Sequence, residues 1–450
     1  MAVCRARAFR YTVPIMPATS WGRLFQYEQR VMPLYSRFEP MPSGAPLLPY
    51  GNGRSYGDVC LNHGGTLIAT RGLDRMIAFD AGSGVLECEA GVLLDEIIDL
   101  MLPRGWFPPV CPGTSFVTVG GAIANDVHGK NHHRFGNFGH HVLSFELQRS
   151  DGSTMVCSPE QNADWFRATI GGLGLTGLIR SVRIRLRRIQ GPWILGDNQR
   201  FGNLAEFFQI NAESEEHEYT VAWLDCTATG RDLGRGVFSR GNHAPDSGDT
   251  TGGSAAGTPL VNIPFSPPVS PVFGASVKLF NALVFHRPSA QRQQCRWHLR
   301  PFNFPLDSVR NWNRLYGPHG FYQYQCVLPE PDAKAALTEM LGRIARTRLG
   351  SFLSVLKKFG SMSSLGMMSF PRPGVTLALD FPNRGARTRQ LLDALDEVTR
   401  QAGGAVYPAK DARMSANDFR QYFPAWQQFS RYVDPKFSSS FWRRVMEKGS

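Results

Sequence analysis

What this 450-residue chain lacks narrows its function first. Its eight cysteines all stand more than twenty residues apart, with no C-x-x-C pair and no companion His-x-x-x-His. That spacing argues against a zinc site and a disulfide framework, and makes reduced thiols in a cytoplasmic protein the expectation. No stretch reaches the roughly 18 uninterrupted apolar residues of a membrane span. The nearest, VNIPFSPPVSPVFGASVKLFNALVF at 261–285, is broken by prolines and carries Lys278; it reads as a lid or as a surface that touches lipid. The first 21 residues contain arginines but no apolar core of the kind a secretory signal needs. Acidic residues are the minority, 37 against 49 basic, and the net charge of +12 points to an anionic partner: phosphate, nucleotide or a membrane surface. No basic run interleaves with aromatics, so nucleic acid is not expected. No internal repeat is visible.

Glycine (46) and proline (31) are plentiful, which favours strands and turns over helical bundles and predicts an α+β protein. From about 48 to 190, short apolar runs alternate with glycine-rich turns, and text such as SVRIRLRR has the two-residue period of half-buried strands. Strand-like EYTVAWLDC, GFYQYQCVLPE and GVTLALDFP, with the helix DAKAALTEMLGRIART, mark a second domain. The expected division is 1–192, 193–395 and a C-terminal segment 396–450 returning to the first domain. Residues 241–258 are too polar to order and are expected to form a mobile loop. Near the end, Ser415 is placed to cap a helix.

Three glycine-rich stretches compete for a ligand. GLGLTG (Gly172, Gly174, Gly177) matches a dinucleotide fingerprint, but a helix-like segment precedes it and a strand-like one follows. That is the reverse of what a Rossmann turn requires. YGNGRSYGD (50–58) sets three glycines around Arg54, a loop whose successive amides can converge on phosphate; an ordinary turn between strands is the plainer reading. In PGTSFVTVGGAIANDVHGKNHHRFGNFGHHV (112–142), glycines remove Cβ atoms along one path, which suits backbone lying against a flat cofactor. A metal site would want ligands on one face, whereas adjacent His132 and His133 point apart in a strand, and Asp126 is the sole acid nearby. No metal is therefore expected, and a hydrogen-bonded polar loop stands as the alternative.

Taken in order, GNGRSYGD, PGT…VTVGGAI…HGKNHH, GLTGLI, FYQYQ, FLSVLKKFG and YPAKDAR resemble the FAD-dependent oxidoreductases of the vanillyl-alcohol-oxidase/PCMH type. Within that superfamily the resemblance is to the branch that oxidises the 2′-hydroxyl of polyprenylphosphoryl ribose, the flavin half of an epimerase leading to the arabinose form. It implies a two-subdomain FAD-binding domain, an antiparallel-sheet cap domain for substrate, and a peripheral enzyme at the inner membrane working with an NADH-dependent short-chain reductase. The cofactor positions it implies are Gly51, Asn52, Gly53, Arg54, Ser55, Tyr56, Gly57, Gly113, Thr118, Val119, Gly120, Gly121, Asn125, Val127, His128, Gly129, Ile179 and Tyr407. Backbone amides of 52–55 and 119–121 would hold the pyrophosphate. Lys410, Tyr56, His128 and Lys357 are the implied catalytic residues, and Lys130, Trp223, Gln323, Gln325, Lys357 and Lys410 the substrate contacts. Gln323 and Gln325 alternate with Tyr324, so both amides share one strand face.

Relatives that attach FAD covalently resemble G-x-G-H-S at the first turn; Arg54 stands at that histidine's position, so the FAD is expected to be non-covalent. Ala378 replaces a pocket cysteine of the mycobacterial type, and Asn303 and Thr376 replace other polar residues. The competing functions are an aldonolactone or alditol oxidase acting on a free sugar, and a flavin-binding partner subunit without turnover.

Overall fold

In the computed structural model, which describes residues 18–44, 46–244, 261–350 and 352–446, three sheets carry the fold. A parallel sheet orders Arg30–Pro33, Thr66–Ala69 and Leu47–Tyr50. An antiparallel sheet of five strands runs Met76–Asp80, Val85–Glu89, Leu178–Arg185, Val142–Gln148, Thr154–Cys157. The third is an eight-stranded antiparallel sheet, ordered Arg292–His298, Trp193–Phe201, Gly236–His243, Tyr219–Leu224, Ser354–Phe359, Gly374–Pro382, Phe321–Leu328, Ala405–Val406. The protein is thus α+β, and the strand periods read along Leu178–Arg185 and Phe321–Leu328 have their counterparts here.

Helices Glu330–Thr347 and Ala386–Gln401 bury Leu337, Met340, Leu341, Ile344, Leu391, Leu392 and Leu395 in the core that includes the large sheet's inner residues. The apolar spacing of three and four residues in both puts these side chains on one face. The second helix runs through the boundary expected at 395/396, and Ala405–Val406 pairs with Phe321–Leu328, so the chain leaves the large sheet only after 406. From there it returns to the first domain: Leu47 bridges Phe437, and Ser440 N–H donates to Leu61 C=O at 2.8 Å. Ser415 caps Ala416–Tyr422 by accepting from Asp418 N–H. The polar loop expected over 241–258 lies, from 245 onward, outside the described residues.

Two parts of the 112–142 stretch are helical. VGGAIA is a helix, Val119–Ala124, capped by Thr118 Oγ1 accepting from Gly121 N–H at 3.1 Å; two glycines at its start do not prevent it because the cap and the packing of Val119, Ala122 and Ile123 hold it. His132 and His133 lie in a one-turn helix, His132–Phe135, instead of a strand.

Candidate active site

A cavity of about 1160 Å³ runs between the first domain and the face of the large sheet. That exceeds the usual 300–1,000 Å³ of a small-molecule pocket, giving room for a dinucleotide and part of a second ligand. At one end the turn after strand Leu47–Tyr50 presents Gly51, Asn52, Gly53, Arg54 and Ser55, facing Gly113 and Thr118. Among the described residues, the amides of Asn52, Gly53, Arg54 and Ser55 donate to no carbonyl. Gly53 has φ +60°, and a Cβ there would sit 2.3 Å from the Tyr50 hydroxyl, so only glycine closes this turn. Arg54 lies over Trp21 (4.2 Å) and Phe116 (5.3 Å), and its Nε is buried without a partner. Unspent amides, an orphaned guanidinium nitrogen and open space beside Gly113 suit a pyrophosphate.

The amides of the second stretch are already in use. Val119 N–H donates to Val92 C=O and Gly120 N–H to Ala90 C=O, both at 2.8 Å, while Gly121 N–H goes to the Thr118 cap. The pyrophosphate donors expected at 119–121 are therefore spent within the protein, and Gly120 and Gly121 reach the cavity only as side-chain-free surface. Val119 is fully buried away from the cavity. Gly57 also lies outside the lining. A Cβ on it would come 1.7 Å from Asp411 C=O, so this glycine exists for the close approach of 56–58 to 409–411.

That approach builds the catalytic end. Tyr56 N–H donates to Ala409 C=O at 2.9 Å, and Arg444, from the last helix, bonds both Asp58 (2.7 Å) and Asp411 (3.0 Å). Lys410 is thereby set over the Tyr56 ring, Nζ 4.0 Å from its centroid. Burial lowers the Lys410 pKa to about 7; Asp380 opposes the shift and Lys357 adds to it. Burial likewise lowers Lys357 to about 8. His128, buried and repelled by Lys357, is held well below the ordinary imidazole range and is neutral. Its Nδ1 lies 3.3 Å from Lys357 Nζ and its Nε2 3.0 Å from Gln325 Nε2. Lys130 packs on Phe302, donates to Phe302 C=O, and is lowered to about 7 by burial.

Asn125, Val127, Gly129, Ile179, Trp223, Gln323, Gln325 and Tyr407 all line the cavity, as do Asn303, Thr376 and Ala378. Tyr407 donates to Asn125 C=O at 2.8 Å, and Trp223 Nε1 to Phe352 C=O at 3.2 Å. The other histidines are tied to loops: His133 Nε2 lies 2.8 Å from His217 C=O, and His140 Nδ1 accepts from Asn137 N–H. Among the described residues no three His, Cys, Asp or Glu side chains are grouped to hold a metal.

Sequence reasoning passed over two residues. Asp380, fully buried on strand Gly374–Pro382, bonds Gln323 and Tyr316; an aspartate within GVTLALDFP, an otherwise apolar strand, was the available signal, since an unpaired charge is rarely buried there. Leu173, in GLGLTG, lines the cavity at φ +58°, a conformation costly for leucine and common near ligands. The helix Ala163–Thr169 before that motif and the strand Leu178–Arg185 after it exclude a Rossmann turn.

Comparison with known proteins adds one family match and three relatives. The FAD binding domain family matches residues 42–158. Decaprenylphosphoryl-beta-D-ribose oxidase of Mycolicibacterium smegmatis is 36% identical over 416 residues, 89% of each chain. An uncharacterised Streptomyces coelicolor protein from the mprA 5′ region is 32% identical over 374 residues, 79% of this chain and 100% of its own. Delta(24)-sterol reductase of Homo sapiens is 30% identical over 111 residues, 25% of this chain and 22% of that protein.

Proposed function

The chain belongs to the FAD-dependent oxidoreductase family of decaprenylphosphoryl-beta-D-ribose oxidase, and on that premise we propose that it oxidises the 2′-hydroxyl of a polyprenylphosphoryl ribose to the ketone. The observation that carries this reading is a single cavity that joins the unspent amides of 52–55 to a cluster of buried lysines, glutamines and His128. When bound, FAD supplies the two-electron acceptor for the carbon-bound hydride.

The chain's own residues handle binding and the proton. The turn 51–55 and Arg54 take the pyrophosphate; Tyr56, Gly129 and Tyr407 wall the ring site. Lys410 Nζ, with its pKa near 7, takes the hydroxyl proton and then carries the positive charge that offsets negative charge developing beside it. Lys357, Lys130, Gln323 and Gln325 hold the sugar, and Trp223 closes one side. The ketone requires a reduction to complete an epimerisation, which is the work of a separate NADH-dependent short-chain reductase.

We read the FAD as non-covalent, because Arg54 cannot form a histidyl link. Precipitation with cold acid is expected to leave all yellow colour in the supernatant; colour retained in the pellet would refute this. Anaerobic addition of a synthetic polyprenylphosphoryl ribose tests the activity itself. The flavin should bleach with it and not with free ribose or arabinonolactone, and bleaching by the lactone alone would establish the free-sugar oxidase instead. A protein that stays yellow with every sugar would be a partner subunit.

No helix of the described residues is long and apolar enough to cross a membrane. A lipid-borne substrate would nevertheless be met at a surface, and we place the enzyme peripherally on the cytoplasmic face of the inner membrane. Helix Gly274–His286 and its lead-in expose Phe265 (66%), Val269, Phe273, Leu279 (65%) and Leu283. Phe280, Val284 and Arg287 of the same segment line the cavity, so the apolar surface is continuous with the mouth. Such a surface, next to positive charge, fits an anionic bilayer with the lipid tail leading inward. Leu279→Glu with Leu283→Glu is expected to lower flotation with anionic liposomes at least roughly tenfold while leaving FAD content unchanged; equal flotation would remove the membrane role.

A further inference from the structure

Resting on the oxidase reading above, we propose that Gln323 is a fixed hydrogen-bond acceptor for a sugar hydroxyl adjoining the one that is oxidised, its amide turned by the positioning residue Asp380 so that the carbonyl oxygen faces the cavity. A glutamine amide in a cavity wall has two orientations, one presenting donors and the other an acceptor, and its neighbours decide between them. Gln323 Nε2 donates to Asp380 Oδ1 at 2.7 Å. A carboxylate can only accept, and Asp380 is kept in that role by Tyr316, whose hydroxyl donates to its other oxygen at 3.3 Å. Burial raises the Asp380 pKa to about 7 against the pull of Gln323, Lys410 and Tyr316, so the carboxylate is the form present at pH 8. The amide nitrogen is thus committed to Asp380 in the wall. Among the described residues nothing donates to Gln323 Oε1, and that oxygen is not among the buried atoms without a partner. It opens on the cavity.

Gln325, two residues along the same strand face, has no such obligate anchor. Its Nε2 meets His128 Nε2 and Thr376 Oγ1, at 3.0 and 3.2 Å, and either of these groups can donate or accept. Only the position held by Asp380 has a predetermined polarity.

The consequence is discrimination among sugars. A hydroxyl adjoining the reacting carbon offers O–H to Gln323 Oε1, while the reacting hydroxyl gives its proton to Lys410. An analogue lacking the adjoining hydroxyl leaves a buried acceptor unpaired, which weakens binding, by roughly tenfold or more in affinity. The acceptor also rejects analogues whose hydroxyl is methylated or replaced by fluorine.

A charge swap, assayed at pH 8, separates an acceptor role from a donor role. Gln323→Glu alone opposes two carboxylates and is expected to lower kcat/KM for polyprenylphosphoryl ribose roughly 100-fold. Adding Asp380→Asn places a donor behind the introduced carboxylate and leaves an acceptor oxygen facing the sugar, so the double variant should return to within roughly fivefold of wild type. Failure of the swap to rescue, in a double variant that holds FAD, means the sugar needs a donor and overturns the proposal. Full activity of Gln323→Glu also overturns it. A neutron structure of the wild-type holoenzyme reads the amide without any turnover. Deuterons are expected on the Gln323 atom facing Asp380, and deuterons on the cavity side overturn the assignment whatever the variants do. If wild type turns over no polyprenylphosphoryl ribose while the neutron map is as expected, it is the substrate reading that fails.

Discussion

Lys410→Met is expected to slow anaerobic flavin bleaching by about 10³-fold at pH 8, the range assigned to a positioned general base, with FAD still bound. Methionine matches the length of the lysine stem and removes the amine, so the cavity keeps its shape. The pH dependence gives the sign of the role. Burial lowers the Lys410 pKa to about 7, so the neutral amine, able to take a proton, becomes populated as pH rises through 7. In wild type kcat/KM should therefore climb between about pH 6 and 8 and then level, a tenfold gain per unit at the foot of the limb. Asp380, raised by burial to about 7, ionises over the same range and acts through the Gln323 anchor, so Lys410→Met should lose the limb in kcat while a dependence of KM remains. A rate that falls as pH rises through 7 would show instead that the ammonium form is needed and the amine is not the base. Bleaching as fast as wild type would remove Lys410 from the chemistry altogether.

Gly57→Ala should be the most damaging single-methyl substitution in the site although Gly57 touches no cavity. Its Cβ would lie 1.7 Å from Asp411 C=O, 2.6 Å from Asp411 C and 3.0 Å from Ala412 Cα, all backbone atoms with no rotamer to yield. The two segments are also locked together by Tyr56 N–H to Ala409 C=O and by Arg444 between Asp58 and Asp411. Relief therefore requires moving 409–411, and Lys410 with it. A loss on the order of 3 kcal/mol or more is expected from overpacking of this kind, seen as a lower Tm together with loss of bleaching. Gly191→Ala is the control: its Cβ would meet nothing within 4 Å. If Gly57→Ala proves as stable and as active as Gly191→Ala, the tight seam between 56–58 and 409–411 does not position the lysine.

The two substitutions bear on different bonds of one argument. Lys410 tests what the amine does; Gly57 tests why it is where it is. Asp380 and Arg444 belong to the second kind, since neither carries the reaction in this reading and each holds in place a group that does.

How far the site was legible can be judged from particular residues. The turn 51–55 showed the glycines and arginine of a phosphate cradle, although an ordinary turn was the plainer reading of those residues alone; among the described residues the amides of 52–55 donate to no carbonyl. The stretch 119–121 looked alike and is different: its amides bond Val92, Ala90 and the Thr118 cap. Glycine spacing shows where a backbone can approach a ligand, but whether its N–H groups are free depends on partners about thirty residues away. Gln323 and Gln325 fell on one face by the two-residue period of a strand. Their different anchors, Asp380 for one and His128 with Thr376 for the other, come from separate strands and loops and leave no mark in local text.

By itself the sequence determined the α+β class, the alternation of strand faces, the absence of cysteine pairs and membrane-length apolar runs, and the glycine turn at 51–55, because each depends on residues within a few positions of one another. Tertiary structure decided which amides stay unbonded, why Gly57 must be glycine, and how Lys410, Lys357 and Asp380 come to titrate near neutrality. Those properties arise from burial and from charges brought together across more than 300 residues of chain, from Tyr56 to Lys410, and burial is set by everything that packs around a group.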